Sequence, residues 1–311
     1  MKYESLQNIN LNKKNRVFLR TLEGKNKLIT LKSQREIEQM ERSSKILADI
    51  HIGLRELIKP GIDMWEIEEY VRKVCKEKNV LPLQIGVDEG NYNPFPYATC
   101  CCLNDEVAHA FPRHQILKEG DLIKVDMVLG LVEDGSVDVS KLNFDDAESM
   151  VKYQEEFRGG VADSCWAYAV GQVSDEVKNL MDVTRECLYL GIEQAKVGNR
   201  IGDIGAAIQE YAESRGYGVV RDLVGHGVGP TMHEEPMVPH YGRAGRGLRL
   251  REGMVLTIEP MINTGGWEID HDGERGYVTL DGSLSCQYEH QFVITKDGPV
   301  ILTSQGEERT Y

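Results

Sequence analysis

The segments EGDLIKVDMV, from Glu119, and EGMVLTIEPM, from Glu252, share one pattern: a Glu-Gly pair, an apolar run and a carboxylate six residues after the glycine. Those carboxylates are Asp126 after Gly120 and Glu259 after Gly253. An earlier pair of segments repeats in the same order, with Gly61 ahead of Glu66-Ile67 and Gly198 ahead of Asp203-Ile204 at identical spacing. Each copy carries a second carboxylate at the head of an apolar run, Asp163 before SCWAYAV and Glu289 before HQFVI. The gap between the two carboxylates is 37 residues in the first copy and 30 in the second, as expected if the first half carries an insertion offset by smaller changes. A chain made of two related halves has few ways to fold, and these halves point to a site at a pseudo-twofold axis.

Strand alternation sends Asp126 and Glu259 inward with every second neighbour. Four carboxylates in a core are costly unless protonated, paired with Arg or Lys, or bound to metal. Few lysines and arginines lie near them in the sequence, and two divalent cations would balance Asp126, Asp163, Glu259 and Glu289. A fifth, neutral ligand is offered by His226 in VGHGVGPTMHEEP, Val224 to Pro236. There Gly225, Gly227 and Gly229 remove side chains around the imidazole, and His233 follows seven residues later. Oxygen donors with one imidazole suit Mn, Fe, Co or Zn better than thiolate-seeking ions.

Composition narrows the context. Fifty acidic against 36 basic residues give a net charge of -14, which argues against a broad nucleic-acid or anionic-membrane surface. Seven cysteines form an odd set without disulfide-scaffold or zinc-ribbon spacing, so a reducing, cytoplasmic compartment is expected. Cys100, Cys101 and Cys102 alternate in direction along a strand and cannot wrap one ion. No apolar run is long enough to span a bilayer, and the N-terminus lacks the apolar stretch of a secretory signal.

Taken in order, residues 1–30 read as a basic, disordered tail, and residues 31–311 as a single catalytic domain. Ser33 with Glu36 predicts a capped helix through about Gly53, and Asp63 with Glu66 a second one to about Lys78. Strands are expected over Thr99–Leu103, Asp121–Leu129, Ala162–Val170, Gly218–Val224, Met254–Ile262 and Gln287–Ile294, with helices over about 174–195 and 201–215. The polar, acidic, partly helical stretch of about 132–160 looks inserted between two strands.

The motifs NDEVAHAFP (104–112), KVDMV (124–128), ADS (162–164), GHGVGPTMHEEP (225–236), TIEPMI (257–262) and CQYEHQ (286–291) closely resemble those of the type I methionine aminopeptidases. The resemblance covers about residues 33–305, and the insertion is like that of a streptococcal-type subgroup. It implies the α+β pita-bread fold, pseudo-twofold halves with a central antiparallel sheet covered by helices. It implies removal of the initiator methionine from the N-terminal peptides of nascent proteins, preferentially before a small second residue, with transient ribosome association and neither membrane nor specific nucleic acid as partner. By the same resemblance Asp163 and Glu289 bridge two divalent ions (Co, Mn, Fe or Zn), Asp126 completes one site, and His226 and Glu259 complete the other. Glu259 then shuttles a proton, His233 meets the scissile carbonyl and His109 the scissile amide. Tyr92, Phe95, Cys100, Met232 and Tyr277 fall at the side-chain pocket. Met232 stands where many relatives have an aromatic residue, and Tyr277 where a tryptophan is common. The fold also serves proline-directed peptidases, which usually carry a large extra N-terminal domain, and non-catalytic binding relatives, which lose ligands that this chain keeps.

Overall fold

The computed structural model describes residues 16–20, 26–87 and 94–306. Its first strands, β1 (Arg16–Arg20) and β2 (Asn26–Thr30), pair antiparallel from Arg16↔Thr30 to Arg20↔Asn26. This corrects the expectation of a disordered tail over residues 1–30 where it covers these two segments. The short runs VFL and LIT give strand character that a Lys-, Arg- and Asn-rich composition hides. Residues 1–15 and 21–25 lie outside the described residues.

Helix α1 (Gln34–Leu57) starts at its capping box: Ser33 Oγ accepts from the Glu36 amide at 3.4 Å, and Glu36 Oε2 accepts from the Ser33 amide at 2.6 Å. Ile37, Met40, Leu47, Ile50 and Leu54 lie buried along one face, each contributing about 1.5–3 kcal/mol by leaving water. Helix α2 (Trp65–Lys78) begins one residue after Met64, which caps nothing with its side chain. Asp63 and Glu66 still meet, through the Asp63 amide and Glu66 Oε1 at 3.0 Å.

The first half supplies β3 (Val80–Pro82), β4 (Cys100–Leu103), β5 (Glu106–Ala108), β6 (Leu122–Leu131) and β7 (Val161–Ala169). Strand β6 is the spine: β4 and β3 pair with successive parts of one edge and β7 with the other, all antiparallel. Between β6 and β7 the inserted stretch forms a 3-10 turn at Val139–Lys141 and helix α3 (Ala147–Glu156). Its Val139, Phe144, Met150 and Phe157 join the core that also holds Ile37 and Val125. A polar segment is thereby fastened by a few apolar anchors.

The second half contains α4 (Asp175–Gln194), α5 (Ile201–Glu213), β8 (Gly218–Val219), β9 (Gly225–Gly227), β10 (Glu234–Val238), β11 (Val255–Ile258) and β12 (Met261–Asn263). It continues with β13 (Ile269–His271), β14 (Tyr277–Thr279), β15 (Ser285–Gln287), β16 (His290–Thr295) and β17 (Gly298–Ile301). Strands run in the orders β10-β9-β11-β16-β17, β15-β12-β8 and β13-β14-β5. The long strands expected over Met254–Ile262 and Gln287–Ile294 are each broken in two. Ile258 pairs with His290 and Met261 with Gln287, so Glu259-Pro260 and Tyr288-Glu289 lie opposite one another between two ladders. Pro260 has no amide to donate and contributes to the break.

Side-chain and backbone hydrogen bonds stitch the halves together where β7 passes β16. The Gln291 amide accepts from the Asp163 backbone N–H at 2.8 Å and donates to the Val161 carbonyl at 3.0 Å. Ser164 Oγ donates to the Glu289 carbonyl at 2.9 Å, and the Glu289 N–H donates to the Cys165 carbonyl at 2.8 Å. These bonds set Asp163 against Glu289 across the junction.

Candidate metal centre

Asp126 sits at the middle of β6, directly opposite Cys100 on one side and Cys165 on the other. Asp163 stands opposite Val128 in the β6–β7 ladder, so alternation turns Asp126, Val128 and Asp163 to one face. Glu259 and Glu289 come from the two facing breaks of the second half. His226 is the middle residue of β9, which pairs with β11 through Gly227↔Leu256. All five residues line one cavity of about 220 Å³. The sequence had placed Glu259 on a continuous strand; its carboxylate instead reaches the cavity from the interruption after Ile258.

The His226 tautomer follows from its neighbour. Nδ1 lies 3.0 Å from the Gly227 carbonyl, which can only accept, so Nδ1 carries the proton and Nε2 keeps its lone pair. Nε2 is 3.5 Å from Asp163 Oδ2 and 3.6 Å from Glu259 Oε1. Ligand atoms of Asp163, His226 and Glu289 all lie within 4.8 Å of one another. Thr257 ties the loop to the acid: its hydroxyl accepts from the His226 amide at 3.0 Å and donates to Glu259 Oε1 at 3.0 Å. A side chain at Gly225 would sit 2.6 Å from the Thr257 carbonyl, which explains the glycine before His226.

Burial, reinforced by the neighbouring acids, pushes the carboxyl groups of Asp163 and Glu289 well above their ordinary range. Burial followed by Asp126 does the same to Glu259. Burial, then His233, lowers His226 to about 3, so the imidazole is neutral and supplies no balancing charge. Carboxylates packed this way cannot all ionise without added positive charge. An oxygen-rich donor set with one available imidazole lone pair therefore fits divalent cations.

His109 lies at the cavity with φ 60, an uncommon backbone state for a residue with a side chain, and its ring meets Tyr277 edge-on at 5.7 Å. His233 is exposed at the cavity, 4.4 Å from the His226 ring centre. Phe95, Cys100 and Met232 form part of the wall. Tyr277 is placed against His109 rather than on that wall, and Tyr92 lies outside the described residues. Sequence reasoning missed Gln84, Val128, Leu223 and Met261 at the wall. Val128 follows Asp126 by two residues and shares its face of β6, as strand alternation predicts, whereas Met261 starts β12 beyond the break after Ile258 and Gln84 carries no local signal. It also missed His240, whose Nε2 accepts the Glu259 N–H at 3.1 Å.

A carboxylate cluster with a neutral imidazole, at the meeting of two related halves, is a candidate centre of the kind a metal-dependent enzyme uses. The sequence model of metallopeptidase family M24 matches residues 38–141 and 148–296. Methionine aminopeptidase A of Synechocystis sp. is 41% identical over 278 residues, which cover 88% of this chain and 97% of that protein. A solved methionine aminopeptidase from streptococci has a TM-score of 0.83 at 76% identity, covering 91% of this chain and 100% of that one. A prolidase structure from Pyrococcus furiosus, at 21% identity and TM-score 0.62, covers 90% of this chain and 66% of its own, and shares the fold alone. The chain belongs to metallopeptidase family M24 and has the α+β pita-bread architecture of the solved methionine aminopeptidases it superposes on.

Proposed function

We propose that this protein is a metal-dependent aminopeptidase that removes the initiator methionine from nascent proteins, preferentially when the second residue is small. The observation that carries this reading is the donor cluster of Asp126, Asp163, His226, Glu259 and Glu289 beside a wall of Phe95, Cys100 and Met232. At about 220 Å³ the cavity is below the roughly 300–1,000 Å³ of pockets for drug-sized ligands, which suits one terminal residue better than a stretch of folded chain. The thioether side chain of methionine is flexible and polarisable and packs well on sulfur and aromatic surface.

The five donors would hold two divalent ions, Co, Mn, Fe or Zn. Such ions, when bound, act as Lewis acids and lower the pKa of water to about 7. The chain's own residues do the rest. His233 donates to the oxygen of the scissile carbonyl as charge builds there, and His109 contacts the scissile amide nitrogen. Glu259, with Oε1 held by Thr257, moves the proton from water to the leaving amine. We read the enzyme as cytoplasmic, with transient ribosome contact bringing it to emerging N-termini; no described helix is long and apolar enough to cross a membrane.

The test strips metal with a chelator, restores Mn, Co, Fe or Zn one at a time, and compares Met-Ala-Ser with an X-Pro peptide. Metal-dependent release of methionine from the first alone is the expected result. Cleavage of the X-Pro peptide instead would move the protein to the proline-directed branch.

A further inference from the structure

Lys32 lies 202 positions before Glu234, at the junction of β2 and α1, yet only 3% of its side chain is exposed. Its ammonium sits 2.8 Å from Glu234 Oε2 and 2.7 Å from Thr30 Oγ1. The Thr30 hydroxyl donates to the same carboxylate oxygen at 2.9 Å. The Lys32 backbone is anchored as well, its N–H donating to the Gly253 carbonyl at 2.8 Å. Burial pulls the ammonium below its ordinary pKa, and the attraction of Glu234 opposes that pull.

Glu234 is placed so that its carboxylate covers Gly229, where any side chain would collide with it. Between them the loop closes on itself: the Gly229 N–H donates to the Thr231 carbonyl at 3.1 Å, and Thr231 Oγ1 donates to the His233 carbonyl at 3.2 Å. Met232 and His233, both at the cavity, ride on this loop. Its base is pinned by a cation from the opposite end of the chain. A half-buried carboxylate without its cation would turn toward water and carry the loop with it.

We infer that Lys32 is a positioning residue, which by fixing Glu234 holds His233 at the cavity. The inference rests on the reading that His233 acts on the scissile carbonyl. Displacing a group of this kind by an ångström can cost about 100-fold, so Lys32→Met is expected to lower kcat by about 10- to 100-fold with KM changed less than about twofold. Glu234→Gln, which keeps size and shape, lowers kcat in the same direction and serves in place of Lys32→Met should that variant not fold.

The deciding measurement is a double-mutant cycle in the full-length, metal-loaded enzyme, with kcat, KM and thermal melting recorded for each variant. If Lys32 acts through His233, then Lys32→Met adds less than about a twofold loss in a His233→Ala background. An equal loss in both backgrounds would mean that Lys32 only supports the fold, and wild-type kcat in both Lys32→Met and Glu234→Gln would leave it with no role in turnover; either result overturns the inference alone. Full activity of His233→Ala by itself would remove the catalytic reading of His233, and this inference with it.

Discussion

The two halves of the molecule deliver equivalent carboxylates by different backbones. In the first half, Asp126 and Asp163 stand on β6 and β7, which pair without interruption from Leu122↔Ala169 to Gly130↔Val161. In the second, Glu259 and Glu289 lie in facing breaks, with ladders on either side ending at Ile258↔His290 and Met261↔Gln287. The shorter acid comes from an unbroken ladder, the longer one from a gap. A strand fixes where its side chain starts, and one methylene decides where it ends. Each half also backs its acids with a buried histidine lowered by burial to about 3, but to opposite effect. His51 donates from Nε2 to the Ser164 carbonyl at 3.2 Å, next to Asp163, whereas His240 accepts the Glu259 N–H that no strand partner takes.

The most drastic way to break the comparison removes one acid from each half. Asp163→Ala and Glu289→Ala should both reduce turnover to background while circular dichroism reports a folded protein. Retained activity in either would mean that the halves do not share one metal centre. A sharper test exchanges lengths. Asp126→Glu pushes a carboxylate into the cavity from a ladder that cannot yield, and should cost about 100-fold in kcat/KM. Glu259→Asp withdraws one from a break that can adjust, and should cost nearer tenfold. Equal losses would show that the breaks confer no compliance.

The histidines give smaller effects. His240→Leu leaves the Glu259 amide without its acceptor, a loss of about 1–3 kcal/mol in stability visible in denaturant melts. His240→Gln, which can present an oxygen near the position of Nε2, should recover most of it. The smallest effect concerns His51, whose Nδ1 accepts from the Tyr168 hydroxyl at 2.7 Å. Its folded pKa of about 3 lies below the ordinary value of 6.5. The unfolded chain therefore binds the extra proton first as pH falls, and stability that is present above pH 6.5 is lost toward pH 3. Replacing His51 with Gln should flatten that part of the melting-temperature profile relative to wild type.

Much of this was legible in the sequence because it rests on short-range pattern. The Ser33–Glu36 capping box, the burial of β6 and β7, and the recurrence of an acid six residues after Gly120 and Gly253 are written in local spacing. Net charge and the requirement to neutralise buried acids then led to cations before any fold was known. The hairpin at Arg16–Arg20 and Asn26–Thr30 was missed because its apolar residues are few and scattered among charges. The breaks at Glu259-Pro260 and Tyr288-Glu289 were missed because each interrupts an apolar run only in concert with its partner strand. His240, Gln84 and Lys32 were beyond reach for a related reason. Their partners, Glu259, Cys100 and Glu234, are 19, 16 and 202 positions away in the chain. The sequence determined which residues carry charge and which segments form elements, since those depend on neighbours along the backbone. Tertiary structure alone decided which hydrogen bonds and ion pairs hold the acids and His233 in place, since those depend on chain segments meeting across the molecule.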